Sequence, residues 1–478
     1  IKQDYNAGLS GVKSKSGVAV SFGGASDKWM SDGLVGYWKM DSAAGAWDGT
    51  ADEVIDASGN GNHGVASGDA STTGGKFGNG GVFKGEESGN DYIEFDYSPN
   101  YELPDSGGSV AFWVKFDSTV VLGQTRKMGI LRKAINSNWD ALGGYEITLF
   151  QSGPDDSHYL RMQTGGTNDV DDLFSTTQIQ NEQWYHVVLS WDLEKIYIYL
   201  DGQLDASEDK TKTITWSGSE PLRFSHLRGL YGAANYRLGG KLDEVRIYNR
   251  ALSKSEVRKL YEWAPGPVMH LKMDEKSGGM AYDTSGNENN GTINGAVSTR
   301  GKYGSALSFD GLNDEVVVGD SNVLDISGSI TLEAWIMPRT LSNSNAQDRV
   351  IQKENYELSV STGDSGCTWG SGDVQWRADI GGDMRLCGGS LTLNKWHHIS
   401  GTYNRNNFYL YVNGILEGST SRSGDIVLDD TNLYIGEAYS GNRNFDGLID
   451  DVRIYNYART QKQILEDMNG GGPASKMP

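Results

Sequence analysis

From Lys241 to Val257 the chain reads KLDEVRIYNRALSKSEV, and from Leu448 to Ile464 it reads LIDDVRIYNYARTQKQI. The earlier motifs repeat in the same order. YWKMD at Tyr37–Asp41 returns as HLKMD at His270–Asp274, and DASGNGNHG at Asp56–Gly64 as DTSGNENNG at Asp283–Gly291. KFGNGGVFKG from Lys76 returns as KYGSALSFDG from Lys302, WYHVVLSWD from Trp184 as WHHISGTYN from Trp396, and YIYLDG from Tyr197 as YLYVNG from Tyr409. A period this long exceeds that of any solenoid repeat, so the chain is expected to hold two complete, related domains, residues 32–264 and 265–470. Residues 1–8 resemble the QILEDMNG that ends the second copy. Residues 1–31 therefore read as the tail of a preceding repeat plus a linker, residues 471–478 as a linker, and the chain as a processed or excised segment of a longer array.

Composition narrows the class. The 478 residues hold 64 glycines and only 9 prolines, with 13 Trp and 24 Tyr, a mix suited to many strands joined by glycine-rich turns. A net charge of −21 repels a phosphate backbone, so nucleic acid is an unfavourable partner, whereas divalent cations or neutral polymers fit. No apolar run is long enough to span a bilayer.

Alternation of period two places Leu332, Ala334 and Ile336 on one face of a strand and Glu333 and Trp335 on the other. Phe408, Leu410 and Val412 likewise oppose Tyr409 and Tyr411, and Val452 and Ile454 oppose Arg453 and Tyr455. The aliphatic faces must meet another sheet, which predicts all-β sandwiches. The opposite, mixed face carries Trp113, His186, Tyr197, Tyr199, Arg246 and Tyr248 in the first copy and Trp335, His398, Tyr409, Tyr411 and Arg453 in the second. Rings beside polar groups suit a sugar, but a set kept in both copies also suits packing beneath a covering segment, and packing is the reading favoured here. After each RIYN comes a short helical pattern, capped by Ser253 or Thr460. Val257, Leu260 and Tyr261 are expected to dock at a domain junction, and residues 1–8 to pack in the same way near the start of the first copy.

Together these motifs resemble the laminin-G-like family of concanavalin-A-like jelly rolls, over roughly nine-tenths of the chain. The resemblance implies two tandem concanavalin-A-like jelly-roll β-sandwiches, each followed by a short helix, at an extracellular or cell-surface location. It implies adhesion or glycan recognition, with a structural spacer as the rival role, since the fold alone does not assign function. Neighbouring copies of the same domain are possible partners.

Several motifs carry candidate chemistry. Glucanases of this fold place two glutamates around an aspartate on one strand; that pattern is missing, so a non-catalytic protein is expected and a glycoside hydrolase is the least favoured reading. TGDSGCTW at Thr362–Trp369 fits an Asp-box hairpin and reads as structural. Asp56, Ser58 and Asn60, and their counterparts Asp283, Ser285 and Asn287, resemble the start of a calcium loop. Asp243 and Asp450 fall on the aliphatic parity of their strands, where a lone carboxylate is costly, so they were expected to complete calcium sites with Asp41 and Asp274 close by. An Asx turn satisfied by its own amides is the alternative. Ligand specificity was placed in loops that differ between copies: Asn136–Asp172, with Trp139 and His158, and Thr362–Arg385, with Trp369 and Trp376. Cys367 and Cys387, the only cysteines, are expected to form a disulfide in an extracellular chain.

Overall fold

A computed structural model describes residues 28–42, 45–85, 91–117, 127–134, 143–152, 157–166, 169–216, 220–226, 237–340, 347–361, 373–437 and 443–470. The chain divides into two compact units, Ile1–Ala264 and Pro265–Pro478.

Each unit is a sandwich of two antiparallel sheets. In the first unit one sheet runs in the order Gln203–Asp209, Lys195–Leu200, Trp184–Asp192, Gly107–Phe116, Gly239–Tyr248, Asn79–Lys84 and Ser71–Gly74. Its first strand, Leu34–Trp38, also pairs with its last, Gly239–Tyr248, so we call this the terminal sheet. The second sheet runs Asp169–Phe174, Ser157–Gly166, Gly144–Ser152, Lys127–Ala134, Leu222–Phe224, Tyr92–Phe95 and Gly64–Ser67. The second unit repeats the plan. Its terminal sheet is centred on Ile330–Pro338 between His397–Tyr403 and Asp446–Tyr455, and its second sheet includes Gln347–Lys353, Tyr356–Ser361, Asp373–Asp379 and Asp383–Ser390. Aliphatic residues from the facing sides of both sheets form each core: Val110, Phe112, Val187 and Leu189 with Ile147, Leu149 and Leu160 in the first, and Leu332, Ile399 and Leu410 with Leu358, Val360 and Val374 in the second.

The last strand of each terminal sheet holds a β-bulge. Between Asp243 and Arg246 the register to Gly107–Phe116 shifts, and Glu244 takes a left-handed φ of 54°; Asp451 does the same in the second unit at 52°. A non-glycine residue in that region carries strain, and a bulge holds it while turning one residue across the sheet. Asp243 and Asp450 therefore lie opposite Trp113 and Trp335 on the outer face, not on the core face that simple alternation gave them. This corrects the sequence reading, which counted through the bulge.

Helix α1, Lys254–Glu262, follows the first sandwich, and helix α2, Gln461–Met468, follows the second. Both start on reciprocal capping boxes, Ser253 with Glu256 and Thr460 with Gln463, which satisfy two orphan amides each. In α1, Val257 and Leu260 are buried on the outer face of their own terminal sheet, against Ala111, Val188, Tyr199, Tyr248 and Leu252. Tyr261 stacks on Trp113 at 5.8 Å. A Cβ on Gly202 would lie 2.9 Å from Tyr261, so that turn needs glycine for the helix to come close. Burying Val257 and Leu260 contributes about 1.5–3 kcal/mol each. The expectation of a junction helix thus gives way to a helix that roofs its own sheet; residues 1–8 lie outside the described residues.

The second unit docks its helix by different chemistry. In sheet register, Glu333 and Ser400 stand where the first unit has Ala111 and Val188. Counted from the caps, Arg459 and Asp467 stand where it has Leu252 and Leu260. Four apolar partners become four polar ones. Asp467 pairs with Arg459 and with Arg453 at 2.8 Å, and accepts from Tyr455 Oη at 3.0 Å; Ser400 Oγ donates to Glu333 at 3.3 Å. Burial, with Asp467 beside it, pushes the Glu333 carboxyl well above the usual range, so it is held neutral within the network.

Breaking one member of a buried ionic set costs more than replacing the whole set. Asp467→Leu alone is expected to destabilise the second sandwich by roughly 3–5 kcal/mol. Combined with Glu333→Ala, Ser400→Val and Arg459→Leu, most of that stability should return. Denaturant unfolding of the four-residue and single variants measures both, and a wild-type midpoint for Asp467→Leu would refute the keyed docking.

Candidate ligand-binding faces

The two expected calcium loops are saturated by donors. Asp56 Oδ1 accepts from the amides of Tyr37 at 3.0 Å and Ser58 at 2.8 Å, and Oδ2 from Ser58 Oγ at 2.8 Å and the Asn62 amide at 2.9 Å. Asp283 repeats the frame with His270, Ser285 and Asn289. Asn60 and Asn287 turn their amide nitrogens to main-chain carbonyls of the entering strand. N–H and O–H groups aimed at every carboxylate oxygen leave no lone pairs converging on a cation. Asp56, Ser58, Asn60, Asp283, Ser285 and Asn287 are Asx-turn staples for the first strand, and they do not fit a metal shell.

The bulge carboxylates differ. Asp243 Oδ2 accepts from the amides of Lys76 at 2.7 Å and Phe77 at 2.9 Å, and Asp450 Oδ2 from Tyr303 at 2.9 Å. A Cβ on Gly75 or Gly301 would lie 2.6 Å from these oxygens, so both loops need glycine there. In both units the other oxygen, Oδ1, is buried without a hydrogen-bond partner among the described residues. Burial first, then Glu244 and Asp41, holds the Asp243 carboxyl far above the usual range. Asp450 is pushed up to about 7, chiefly by burial, with Asp451 and Asp274 adding to it. Asp320, Asp325 and Asp430 form another acidic group, but the Lys353 ammonium already serves it, 2.7 Å from Asp320 and 3.0 Å from Asp325.

The mixed aromatic face is a packing surface. Trp113, Tyr199 and Tyr248 are buried, and Trp263 sets its ring over Arg246 at 4.3 Å and edge-on to Phe77 at 6.2 Å. Trp376, expected to touch ligand, is a core residue of the second sandwich, its ring 5.8 Å from Phe408 and its Nε1 donating to Thr402 O. That strand's alternation runs Val374, Trp376, Ala378 inward, which the sequence reading treated as loop. His158 sits half-buried at the start of its strand. Trp139, Trp369, Cys367 and the Asp-box lie outside the described residues. Cys387 lies on Asp383–Ser390, and no described cysteine is free.

What the sequence reading missed is the outer face of the second sheet. In the first unit one register row crosses six strands: Glu94, Arg223, Arg132, Glu146, Gln163, Asp172. Arg223 pairs with Glu94 at 2.6 Å and Arg132 with Glu146 at 3.4 Å. Arg161, one row on, grips Asp172 with two donors at 2.6 and 2.5 Å and lies beside the rings of Phe150 and Phe174. The equivalent row in the second unit is Val317, Tyr434, Gln352, Glu357, Arg377, Arg385. Glu146 and Glu357 hold the same place; most of the rest changes. Several of these side chains are buried yet carry polar atoms with no hydrogen-bond partner among the described residues: Thr148 Oγ1, Gln163 Oε1, Gln352 Oε1 and Glu357 Oε2. The signal available in the sequence was the shared YE of GYEITL and NYELSV, whose Tyr turns to the core and whose Glu stands at outward parity.

Two stacked antiparallel sheets per unit, closed by paired first and last strands, define a concanavalin-A-like class of sandwich. The chain belongs to the concanavalin A-like lectin/glucanases superfamily, whose family model matches residues 87–258 and 309–465. It is 29% identical over 91 residues to mouse usherin, a stretch that is 18% of this chain and 2% of usherin. Among solved structures it resembles domain 4 of AbnA, a GH43 extracellular arabinanase from Geobacillus stearothermophilus in complex with arabinotriose, with 20% identity, a TM-score of 0.35, and 42% of this chain and 98% of that one covered. Mouse laminin α1 domains LG4-5 give 11% identity and a TM-score of 0.25 over 74% of this chain and 85% of theirs. The botulinum neurotoxin serotype D binding domain gives 12% and 0.39 over 90% and 98%. Among the described residues no helix is long and apolar enough to cross a membrane.

His186 tests the roof over the terminal sheet. It is buried between Trp113 and Tyr261, with Arg246 and Lys76 near and its own amide donating to Asp201. Burial, then those two cations, push its imidazole down to about 3. The folded state holds it neutral while the unfolded chain protonates near 6.5, so its contribution is intact above about pH 6.5 and is lost as pH falls toward 3. Between pH 7 and 4 the wild type should lose on the order of 3 kcal/mol more than His186→Leu. Parallel losses in both proteins would show the imidazole to be hydrated.

Proposed function

We propose that each unit is a non-catalytic recognition module of an extracellular or cell-surface protein, and that it takes an extended glycan or surface polymer along the outer face of its second sheet. The observation that carries this reading is the polar row across that face, where Gln163 Oε1, Gln352 Oε1 and Glu357 Oε2 have no hydrogen-bond partner among the described residues, while the helix closes the opposite outer face. Sugar hydroxyls are donors of the kind those acceptors need. Pairing of Glu146 with Arg132 and of Asp172 with Arg161 supports binding over acid–base work, which needs two positioned carboxylates of unequal pKa. Because the frame is shared and the side chains differ, the two units take different ligands.

We further propose that calcium steadies each unit at the bulge, through Asp243 with Asp41 and Asp450 with Asp274, where an orphaned oxygen and raised carboxyls favour a cation. A disulfide between Cys367 and Cys387 is proposed for the second unit; thiol titration of the native, unreduced protein should find neither cysteine reactive.

A glycan array probed with the full chain should give binding that Glu146→Gln and Glu357→Gln weaken separately, on different glycans. Loss of neither signal would place recognition elsewhere. Millimolar calcium should raise the melting temperature above that in chelator, with each site adding roughly 2.7 kcal/mol at 100 times its dissociation constant. In Asp243→Asn/Asp450→Asn that gain should vanish; superimposable wild-type curves would remove calcium from the account.

A further inference from the structure

The ionic lock under α2 gives its guanidiniums to two carboxylates and leaves a third carboxyl without one. Arg453 pairs with Asp451 at 2.9 Å and with Asp467 at 2.8 Å, and Arg459 pairs with Asp467. Glu333, on the central strand of the terminal sheet, is wholly buried and has no arginine or lysine at ion-pair distance among the described residues. Ser400 Oγ donates to its Oε1 at 3.3 Å, and His398 Nε2 lies 3.7 Å from its Oε2. The charged and titratable groups that face it come from every element packed on it. They are Arg453 and Tyr455 from the closing strand, His398 from the strand on the other side, Tyr457 and Arg459 from the turn before the helix, and Asp467 from α2. An ionised Glu333 would be a buried negative charge beside Asp467, with both guanidiniums already engaged elsewhere. Burial first, then Asp467, hold its carboxyl above the usual range against the pull of the two arginines.

We propose that α2 is a latch held by a proton: it stays docked while Glu333 is neutral, and rising pH loosens it because the carboxyl ionises freely only when the helix is off. The first unit has Ala111, Val188, Leu252 and Leu260 at the corresponding positions, so α1 lacks this response and reports on the same molecule as a control. With α2 released, Glu333 titrates near an ordinary glutamate value of about 4.3, whereas docked it keeps its proton to higher pH. Its contribution to docking is therefore complete below about pH 4.3 and falls about tenfold in the docking equilibrium for each pH unit above that, until the docked carboxyl ionises too. His398 acts in the opposite sense at lower pH. Burial first, then Arg453, push its imidazole down to about 4, so it opposes docking as pH falls below about 6.5. Burial raises Tyr455 and Tyr457, so both keep their protons through pH 9. Between pH 7 and 9 the response belongs to Glu333. Release uncovers the outer face that carries Glu333 and His398, so pH sets the exposure of that face in the second unit and not in the first.

The test is hydrogen exchange of the full chain, read by mass spectrometry and corrected for the intrinsic pH dependence of amide exchange. Protection over Gln461–Met468 should fall about tenfold or more between pH 7 and 9, while protection over Lys254–Glu262 holds. Glu333→Gln keeps the shape of the neutral carboxyl and cannot ionise, so it should abolish the fall. Asp467→Asn leaves both guanidiniums to Glu333 and should flatten it as well; this variant decides the matter if Glu333→Gln does not dock its helix at pH 7. Constant protection of α2 in the wild type, an equal fall in both helices, or a fall that persists in the variants would each overturn the latch.

Discussion

The docking of a short capped helix onto the outer face of its own terminal sheet is the contact on which the rest depends. A sheet with aliphatic residues inward and Trp, Tyr and His outward has two faces to remove from water, and a two-layer sandwich covers only one. Val257, Leu260 and Tyr261 cover the other in the first unit; Ile464 and Asp467 do so in the second. The bulge in the final strand belongs to the same arrangement. It brings Asp243 and Arg246 outward together, so that the carboxylate holds the 75–79 loop and the guanidinium carries the Trp263 ring.

The two units show how one frame accepts unlike chemistry. Ala111, Val188, Leu252 and Leu260 make an apolar lock; Glu333, Ser400, Arg459 and Asp467 make an ionic one at the same positions. An apolar helix face set over Glu333 and Arg459 would strand buried charge, and Asp467 set over Val188 would do the same. Each helix is thereby matched to its own sheet. The outer rows of the second sheets diverge in the same manner, with Glu146 and Glu357 constant and Asp172 exchanged for Arg385.

Much of the fold was legible in the sequence because both copies report it independently. Alternation in Leu332–Ile336, the repeated RIYN strand and the capping signals at Ser253 and Thr460 gave sandwich, closing strand and helix. The candidate site was less legible, for two physical reasons. Alternation assumes an unbroken ladder, and the left-handed Glu244 and Asp451 break it, so Asp243 and Asp450 were put on the wrong face. A polar row drawn from six strands exists only in cross-strand register, which pairs Arg132 with Glu146 and Glu146 with Gln163. Aromatic content drew attention to Trp376, which packs in the core, and away from the polar row.

The most direct test of the closed face is hydroxyl-radical footprinting of the intact chain, read residue by residue by mass spectrometry. Trp113 and Trp335 are buried at 5% and 4% exposure, whereas Tyr282 is 57% exposed and serves as the internal reference. The wild type should label Tyr282 readily and spare both tryptophans. Leu260→Asp should raise labelling at Trp113 while leaving Trp335 protected. Wild-type labelling of Trp113 at the rate of Tyr282 would show the aromatic face open to solvent, and would contradict a fold in which the helix closes that face.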